Sequence, residues 1–186
     1  MNRTQIVCLL EGTKDSADLI FANAFLHAFD PQWLRPYSAQ KFRSVTCGGR
    51  NNVIDRFPIE LKICAHQGAD TTLIVFADVD DDENGEILKR RFKKRADEAG
   101  IEDELFRKAV FILPKDRIEN WIQFLNTGST DELVEGPREK KVDKIKEAAR
   151  KLAKICKTQS HVENIPPSLS WSCVNWNELK DRMAET

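Results

Sequence analysis

The sequence predicts an α/β fold in which a mostly parallel, four-stranded sheet is flanked by helices. Two observations support this prediction. Short apolar runs of strand length, such as QIVCLL at residues 5–10 and LIVFA at 73–77, alternate along the chain with longer segments of helical character. Each apolar run also ends abruptly, at glycine, proline or a carboxylate. Such alternation is typical of sheets in which a helix connects each strand to the next parallel one.

The first half of the chain contains two strand–helix units. The first strand covers residues 5–10. The first helix covers 14–29 and places four residues near one face: Ala17, Ile20, Ala24 and Ala28. A connector broken by proline, WLRPY at 33–37, leads to a second strand at 42–47, which stops at Gly48-Gly49. A second helix follows at 51–67, with Pro58 as a candidate point of interruption.

The remaining units follow the same order. The third strand, at 73–77, is apolar throughout and reads as fully buried. A third helix runs from about 83 to 99, a fourth strand covers 109–113 and stops at Pro114, and a short helix covers 118–125.

The C-terminal third has a different character. Residues 126–137 are polar and contain glycine, which indicates a linker or loop. A charged helix at 140–157 follows, whose apolar residues recur at helical spacing: Val142, Ile145, Ala149, Leu152 and Ile155. Pro166-Pro167 breaks the chain before an amphipathic stretch at 176–183. We therefore predict an α/β domain at 1–126 and a helical extension at 127–186, packed on that domain or on a partner.

Composition limits the function classes. The 186 residues are 41% hydrophobic and 32% charged, as in a globular protein with one core. The net charge of -1 gives no overall attraction to nucleic acid, so any polyanion site must be local. No apolar run approaches the roughly 20 residues that span a bilayer, and the N-terminus does not resemble a secretory signal. We expect a cytoplasmic protein without a membrane partner.

Cysteine and histidine do not indicate a metal site. The five cysteines include no CxxC pair, and we expect buried, reduced thiols rather than zinc ligands or redox centres. The three histidines are far apart and fit no ligand spacing.

The most informative segment is the acidic run that ends the third strand, TLIVFADVDDDE at 72–83. Its five carboxylates belong to Asp78, Asp80, Asp81, Asp82 and Glu83. Crowded like charges repel, and solvent or a cation must neutralise them. Oxygen ligands suit Mg²⁺ or Mn²⁺. The alternative is a helix N-cap with charges that complement the helix dipole, which explains one or two carboxylates but not five.

Parallel strands bring their carboxyl ends to one edge of a sheet, where functional groups collect. Four sequence-distant groups meet this condition: Glu11-Gly12, Gly48-Gly49-Arg50, the acidic run, and residues 114–119. Glu119 is a candidate metal ligand at this edge, and its alternative role is a capping or solvent-facing residue.

These segments resemble the TOPRIM family. LLEGTKDSADLIFANAFL is similar to the family's opening motif, in which Glu-Gly is followed by Asp a few residues on within a helix, and FADVDDD is similar to its Asp-x-Asp motif. CGGRNN and RIENWI resemble the small stand-alone and OLD-nuclease-like branches, some of them associated with defence. The resemblance covers roughly residues 5–125. It lacks a clear aspartate-glycine after Asp-x-Asp, which the strictest family pattern contains.

The resemblance implies a site and its chemistry. Glu11 would be a general acid/base or metal-organising residue, and Asp78 and Asp80 the metal-binding pair. Asp82 and Glu119 are further candidate ligands. One or two Mg²⁺ or Mn²⁺ ions would stabilise charge on the attacking and leaving oxygens of a phosphodiester.

Basic residues offer candidate phosphate contacts. KRRFKKR, at 89–95, is either a solvated helix face paired with acidic neighbours or a phosphate-binding surface, through residues such as Arg91 and Lys94. Arg50 is better placed, because Gly48 and Gly49 allow a phosphate to approach the start of a helix. Two weaker candidates share the predicted edge: Lys14 and Lys115.

Three functions remain open from the sequence. The leading hypothesis is an Mg²⁺-dependent TOPRIM-type nuclease that acts on DNA or RNA as an anti-phage effector. The sequence has no P-loop, so any ATPase activity would come from a separate subunit. A second is a phosphotransfer enzyme that uses Asp-x-Asp, such as a HAD-like phosphatase or a nucleotide-sugar transferase. HAD-like enzymes, however, place this motif after the first strand. A third is a non-catalytic TOPRIM-fold binding or regulatory subunit. Whether the chain forms a homo-oligomer stays open.

Overall fold

The fold is a four-stranded parallel sheet with helices on both faces. The computed structural model describes residues 5–29, 42–68, 71–80, 83–158 and 161–184. The strands are β1 Gln5–Leu10, β2 Phe42–Thr46, β3 Thr71–Phe76 and β4 Val110–Ile112. The helices are α1 Ala17–Phe29, α2 Arg50–Gln67, α3 Gly85–Glu98, α4 Asp103–Arg107, α5 Ile118–Thr127, α6 Val142–Thr158 and α7 Pro167–Ala184.

The strand order is β2-β1-β3-β4, and every neighbouring pair is parallel. This arrangement is Rossmann-like and confirms the predicted α/β class. β1 and β3 form the centre, with Leu10 beside Phe76 on β3 and beside Thr46 on β2. The β3–β4 pairing continues past the strands, because Val79 and Lys115 form a further parallel bridge.

Each face of the sheet has its own core. Alternate residues of a strand point to opposite faces, so Ile6, Cys8 and Leu10 of β1 pack toward α1, α5, α6 and α7. Val7 and Leu9 pack toward α2, α3 and α4 on the other face. Four phenylalanine rings fill that second core at centroid distances of 5.2 to 5.8 Å: Phe57, Phe92, Phe106 and Phe111.

The C-terminal helices complete the first core. The apolar side of α6 is buried against α1 and α5. α7 contacts β4, and the ring centroids of Trp176 and Phe25 are 4.5 Å apart. Ser172 accepts a hydrogen bond from the Leu113 backbone N–H at 3.1 Å, which ties α7 to the end of β4. α6 and α7 therefore share buried surface with the sheet.

Several elements differ in extent from the prediction. α2 runs through Pro58 without interruption, because the helix packs Val53, Phe57 and Leu61 against the sheet. This packing outweighs the loss of one backbone hydrogen bond. α4 was not predicted, since five residues are too few to show a helical period.

The last helix also begins earlier than predicted. α7 starts at Pro167, nine residues before the predicted stretch, since proline is well suited to the first position of a helix. The predicted connector at 33–37 lies outside the described residues. No helix in the described ranges is long and apolar enough to cross a membrane.

Candidate carboxylate site at the edge of the sheet

Four carboxylates from separate elements converge at the carboxyl edge of the sheet. Glu11 follows β1, Asp78 follows β3, Asp18 lies in the first turn of α1, and Glu119 lies in the first turn of α5. We call these four residues the carboxylate cluster. They are neighbours in space because the ends of parallel strands, and the helices that follow them, meet at one edge.

The pKa of Asp78 is raised by both burial and neighbouring charges. Burial raises the pKa of Asp78 well above its usual range. Three neighbouring carboxylates raise it further: those of Asp18, Glu11 and Glu119. The guanidinium of Arg117 acts in the opposite direction. Asp78 therefore binds its proton unusually tightly when no cation is present.

Glu11 joins three strands at this edge. Its N–H donates to the Phe76 carbonyl at 3.0 Å, and its own carbonyl accepts from the Gly49 N–H at 3.0 Å. Its side-chain Oε2 accepts from the Asp78 backbone N–H at 2.9 Å. Burial raises the pKa of the Glu11 carboxyl, while the Asp78 N–H and the Arg50 guanidinium favour the charged form. The backbone thus fixes the orientation of the Glu11 side chain.

The glycine of Glu11-Gly12 is required by close packing. A Cβ built on Gly12 would overlap the side chains of Ser16 and Asp18. The Gly12 N–H donates to the Asp18 carboxylate, which favours the charged form. Burial, with smaller contributions from the Glu119 and Glu11 carboxylates, nevertheless raises the pKa of Asp18 to about 7.

Asp18 was missed as a site residue when the sequence was read alone. Its signal was present in the opening motif, where Glu-Gly is followed by an aspartate within the first helix. The motif identifies the residue type, but only the structure shows this carboxylate packed against the Gly12 backbone.

Asp80 has different surroundings from Asp78. Its exposed carboxylate forms an ion pair with Arg50, which also contacts Glu83 at 3.2 Å. Asp80 still lies close enough to Glu11 to raise the pKa of that residue. The two aspartates predicted as a metal-binding pair are therefore divided between the carboxylate cluster and an arginine. Asp81 and Asp82 lie outside the described residues.

Arg50 is the central cation of this edge. Arg50 is the first residue of α2 and follows Gly48-Gly49. The φ of Gly48 is 70°, in the left-handed region. Its guanidinium is mostly buried, and its Nε has no hydrogen-bond partner among the described residues. Arg50 thus has one donor that the two acidic neighbours leave unused.

The other predicted phosphate contacts are placed differently from one another. The Lys115 Nζ donates to the backbone carbonyls of Asp80 and Glu83 and thereby connects two residues of the acidic run. Arg91 contacts Glu83 at 2.8 Å and the Asn51 side chain at 3.3 Å. Lys14 is exposed in the loop after β1, and Lys94 is exposed on α3.

Most cations of the KRRFKKR segment have partners within the protein. Lys93 pairs with Asp97 and Asp103, and Arg95 pairs with Asp55 and Glu98. The Lys89 ammonium lies 5.6 Å from the Phe111 ring centroid and 5.9 Å from that of Trp171. The interpretation of this segment as a helix face with acidic partners therefore describes most of α3.

The chemistry of the cluster suits a hard divalent cation, although the geometry is not that of a formed site. Among the described residues, no group of three or more His, Cys, Asp or Glu side chains is arranged as a metal site. The donors present are all carboxylate oxygens, the ligands that Mg²⁺ and Mn²⁺ prefer. Mutual repulsion, expressed in the raised pKa values of Asp18 and Asp78, is the charge imbalance that such a cation would remove.

Comparison with protein-family models, with curated proteins and with solved structures finds no match to this chain. The fold and the geometry of the carboxylate cluster are therefore the basis for any proposal about function.

Proposed function

We propose that this protein is an Mg²⁺- or Mn²⁺-dependent phosphodiester-cleaving enzyme of the TOPRIM type, a nuclease acting on DNA or RNA. One observation carries the proposal. Four carboxylates, which follow β1 and β3 or begin α1 and α5, converge at the carboxyl edge of a parallel sheet, and burial raises the pKa of each. Repulsion from other members of the cluster raises the pKa values of Asp18 and Asp78 further. Perturbed carboxylates collected in this way are typical of functional sites, because they reduce stability unless something is bound there.

The residues have distinct roles in this proposal. Glu11, Asp18 and Asp78 would hold the cation, with Glu119 as a further ligand. When bound, the ion would supply Lewis-acid stabilisation of a phosphate oxygen. Glu11, oriented by the Asp78 N–H, is the candidate to hold or move a proton at its side-chain oxygens.

Arg50 would contact the phosphate. Its guanidinium is paired with Asp80 and Glu83 at the same edge, and a substrate phosphate would compete with these carboxylates for it.

The sequence motifs support the TOPRIM assignment within this proposal. Asp18 matches the helical aspartate of the opening motif, a correspondence independent of Asp-x-Asp. The chain contains no P-loop, so any ATP-dependent step would require a separate ATPase subunit. An anti-phage effector role in the cytoplasm belongs to the same proposal.

The test is a cleavage assay on labelled DNA and RNA with Mg²⁺, Mn²⁺ or EDTA. We expect Glu11→Gln and Asp78→Asn to reduce cleavage at least 100-fold, because each removes a charged ligand oxygen. The matched control is Glu104→Gln on α4, an exposed carboxylate at the opposite edge of the sheet, which should retain wild-type cleavage. Calorimetric titration with Mn²⁺ gives a second readout, since both cluster variants should bind the ion more weakly.

Equal cleavage by wild type and the two cluster variants, all of them folded, would overturn the proposal. Wild-type Mn²⁺ affinity in both variants would do the same.

The Arg50–Asp80 ion pair favours a second candidate, a non-catalytic binding or regulatory module with this fold. A carboxylate neutralised by arginine needs no cation. This candidate predicts that folding and binding do not depend on Mg²⁺ or Mn²⁺, so the Mn²⁺ titration separates the two.

A further inference from the structure

A long basic segment of the described protein comprises α6 and the residues that lead into it. Residues 138–157 contain nine basic and three acidic side chains, although the whole chain has a net charge of -1. The apolar side of α6 is buried through Ile145, Ala149 and Leu152. The charged residues are therefore confined to the opposite side of the helix.

A row of these cations has no partner within the described residues. Lys146, Arg150 and Lys154 are exposed, and their side-chain nitrogens form no ion pair or hydrogen bond with described residues. They are four residues apart, so they follow one another at about 6 Å along the helix axis. We call these three residues the basic row. On α3, by contrast, three of the six cations are paired with carboxylates: Arg91, Lys93 and Arg95.

Two members of the basic row, Lys146 and Arg150, border a groove. Lys146 and Arg150 of α6 face Asn23 of α1 across a cavity of about 550 Å³, and the small residues Ala24 and Ala28 also line it. Small side chains leave room for a backbone to approach. The amide of Asn23 supplies hydrogen-bonding groups opposite the cations.

This groove begins at the first turn of α1, the turn that also carries Asp18. Ile20 of that turn lines the groove together with Val142 at the start of α6. Arg138, just before α6, is close enough to Glu119 to oppose the rise that burial causes in the pKa of that carboxyl. At the far end, the Lys157 Nζ donates to the Ala28 carbonyl at 2.5 Å. α6 therefore runs alongside α1, away from the cluster.

We propose that the groove between α1 and α6 binds the sugar-phosphate backbone of the nucleic acid as it leaves the carboxylate cluster. This inference rests on the proposed function. The carboxylates of this edge repel phosphates, and Arg50 can contact only the phosphate beside them, so affinity for the rest of a polyanion must come from another surface. Lys and Arg in a row supply such affinity without reading sequence. Continuity with the cluster favours nucleic acid over an acidic protein or a membrane.

The test measures binding of the full-length protein to a fluorescent 30-nucleotide single strand, DNA or RNA, by anisotropy in EDTA. Without a divalent cation no cleavage occurs, so binding is measured separately from catalysis. The variant is Lys146→Gln/Arg150→Gln. The control, Arg90→Gln/Lys108→Gln, removes two exposed cations from the other face of the sheet.

We expect the groove variant to bind at least tenfold more weakly than wild type, and the control to bind within twofold of it. The slope of log affinity against log salt should fall by about 1.4 in magnitude for the groove variant, since two phosphate contacts are lost from a single strand. Thermal unfolding of each variant verifies its fold.

Equal loss in both variants, or wild-type affinity in the groove variant, would overturn the inference. Stronger binding to phosphatidylserine vesicles or to polyglutamate than to nucleic acid would also overturn it. Failure of the cleavage assay with intact, groove-dependent binding would overturn the proposed enzyme and leave this surface as a binding site. Cleavage that is unchanged in the groove variant would reject the groove and retain the enzyme.

Discussion

At the scale of single residues, Asp18 illustrates how packing and charge are combined in the cluster. Its carboxylate lies where a side chain on Gly12 would otherwise be, and it accepts a hydrogen bond from the Gly12 N–H. That contact favours the charged form, whereas burial and two neighbouring carboxylates favour the neutral one. Burial and repulsion together outweigh the hydrogen bond, so the pKa of Asp18 rises to about 7. Without a cation, the cluster therefore reduces the stability of the protein at neutral pH.

The first prediction concerns pH. The folded-state pKa values of Asp18 and Asp78 lie above those of the unfolded chain. For Asp18, whose folded-state pKa is about 7, the folded state therefore binds more protons than the unfolded state between about pH 4 and 7. In EDTA, the contribution of these groups to the unfolding free energy should be largest below pH 4 and should fall as the pH rises to 7. Asp18→Asn should flatten this dependence and stabilise the protein at pH 7.5 by on the order of 2 kcal/mol.

Urea denaturation at a series of pH values provides the measurement. Asp143→Asn, which changes an exposed aspartate on α6, is the control and should retain the wild-type profile. A wild-type profile in Asp18→Asn would contradict the prediction. Mg²⁺ should stabilise wild type more than Asp18→Asn at pH 7.5.

At the scale of elements, the pairing of charges decides which helices are available to a ligand. α3 and α6 both contain many basic residues. α3, however, lies against α2 and α4, whose Asp55 and Asp103 form ion pairs with its Arg95 and Lys93. α6 packs on α1 and α5 through apolar residues, and in the described part of the chain these two helices provide no carboxylate partner for its cations. α2 also contains a paired charge: the fully buried carboxylate of Glu60 forms ion pairs with Arg43 of β2 and with Arg56.

The second prediction concerns Glu60. Burial opposes ionisation of Glu60, but hydrogen bonds from Arg43 and Arg56 outweigh it and lower the pKa. We expect Glu60→Gln to destabilise the protein by about 1–3 kcal/mol, because two guanidinium groups lose a charged acceptor. Since the folded-state pKa is lowered, this contribution is present above the unfolded pKa and is lost as the pH falls through the folded one.

Denaturation at pH 7 measures the effect, and Asp97→Asn in the exposed Lys93–Asp97 pair is the control. Exposed pairs contribute little to stability, so the control should be nearly unchanged. Equal effects of the two substitutions would show that burial does not strengthen the Glu60 interactions.

At the scale of the whole molecule, the last two helices complete the structure around the sheet. Ser168 donates to Glu132 and accepts from the Trp121 indole at 2.8 Å and from the Lys115 N–H at 3.1 Å. α7 is thereby attached to the loop that carries the β3–β4 bridge. α6 covers α1, whose first turn provides Asp18. The helices that follow the predicted boundary at 126/127 therefore support the edge at which the cluster lies.

The third prediction tests that boundary. A fragment of residues 1–126 should fail to unfold cooperatively, because removal of α6 and α7 exposes apolar residues of α1 and α5, such as Phe25, to water. Co-expression of residues 127–186 should restore a folded complex. Circular dichroism and thermal melts distinguish the outcomes. A monomeric fragment with a sharp melting transition would show that 1–126 is an independent domain.

The local pattern of the sequence predicted much of the fold. Apolar runs of strand length and their abrupt ends located all four strands, and the rule for parallel sheets brought Glu11 and Asp78 to one edge. The extent of α7 and the continuity of α2 through Pro58 were not predictable, because contacts with distant strands determine both. Asp18 could have been identified from the opening motif, whereas no local sequence pattern predicts the ion pair between Asp80 and Arg50.

The sequence by itself therefore determined the α/β order and the carboxylates available at the edge, because strand length, helical period and topology depend on neighbouring residues. Tertiary structure alone decided which charges are neutralised. Asp80 and most cations of α3 have partners from distant segments, whereas the carboxylate cluster and the basic row do not receive enough opposite charge. Such pairing depends on distances of a few ångströms between residues far apart in the chain, and no local pattern encodes those distances.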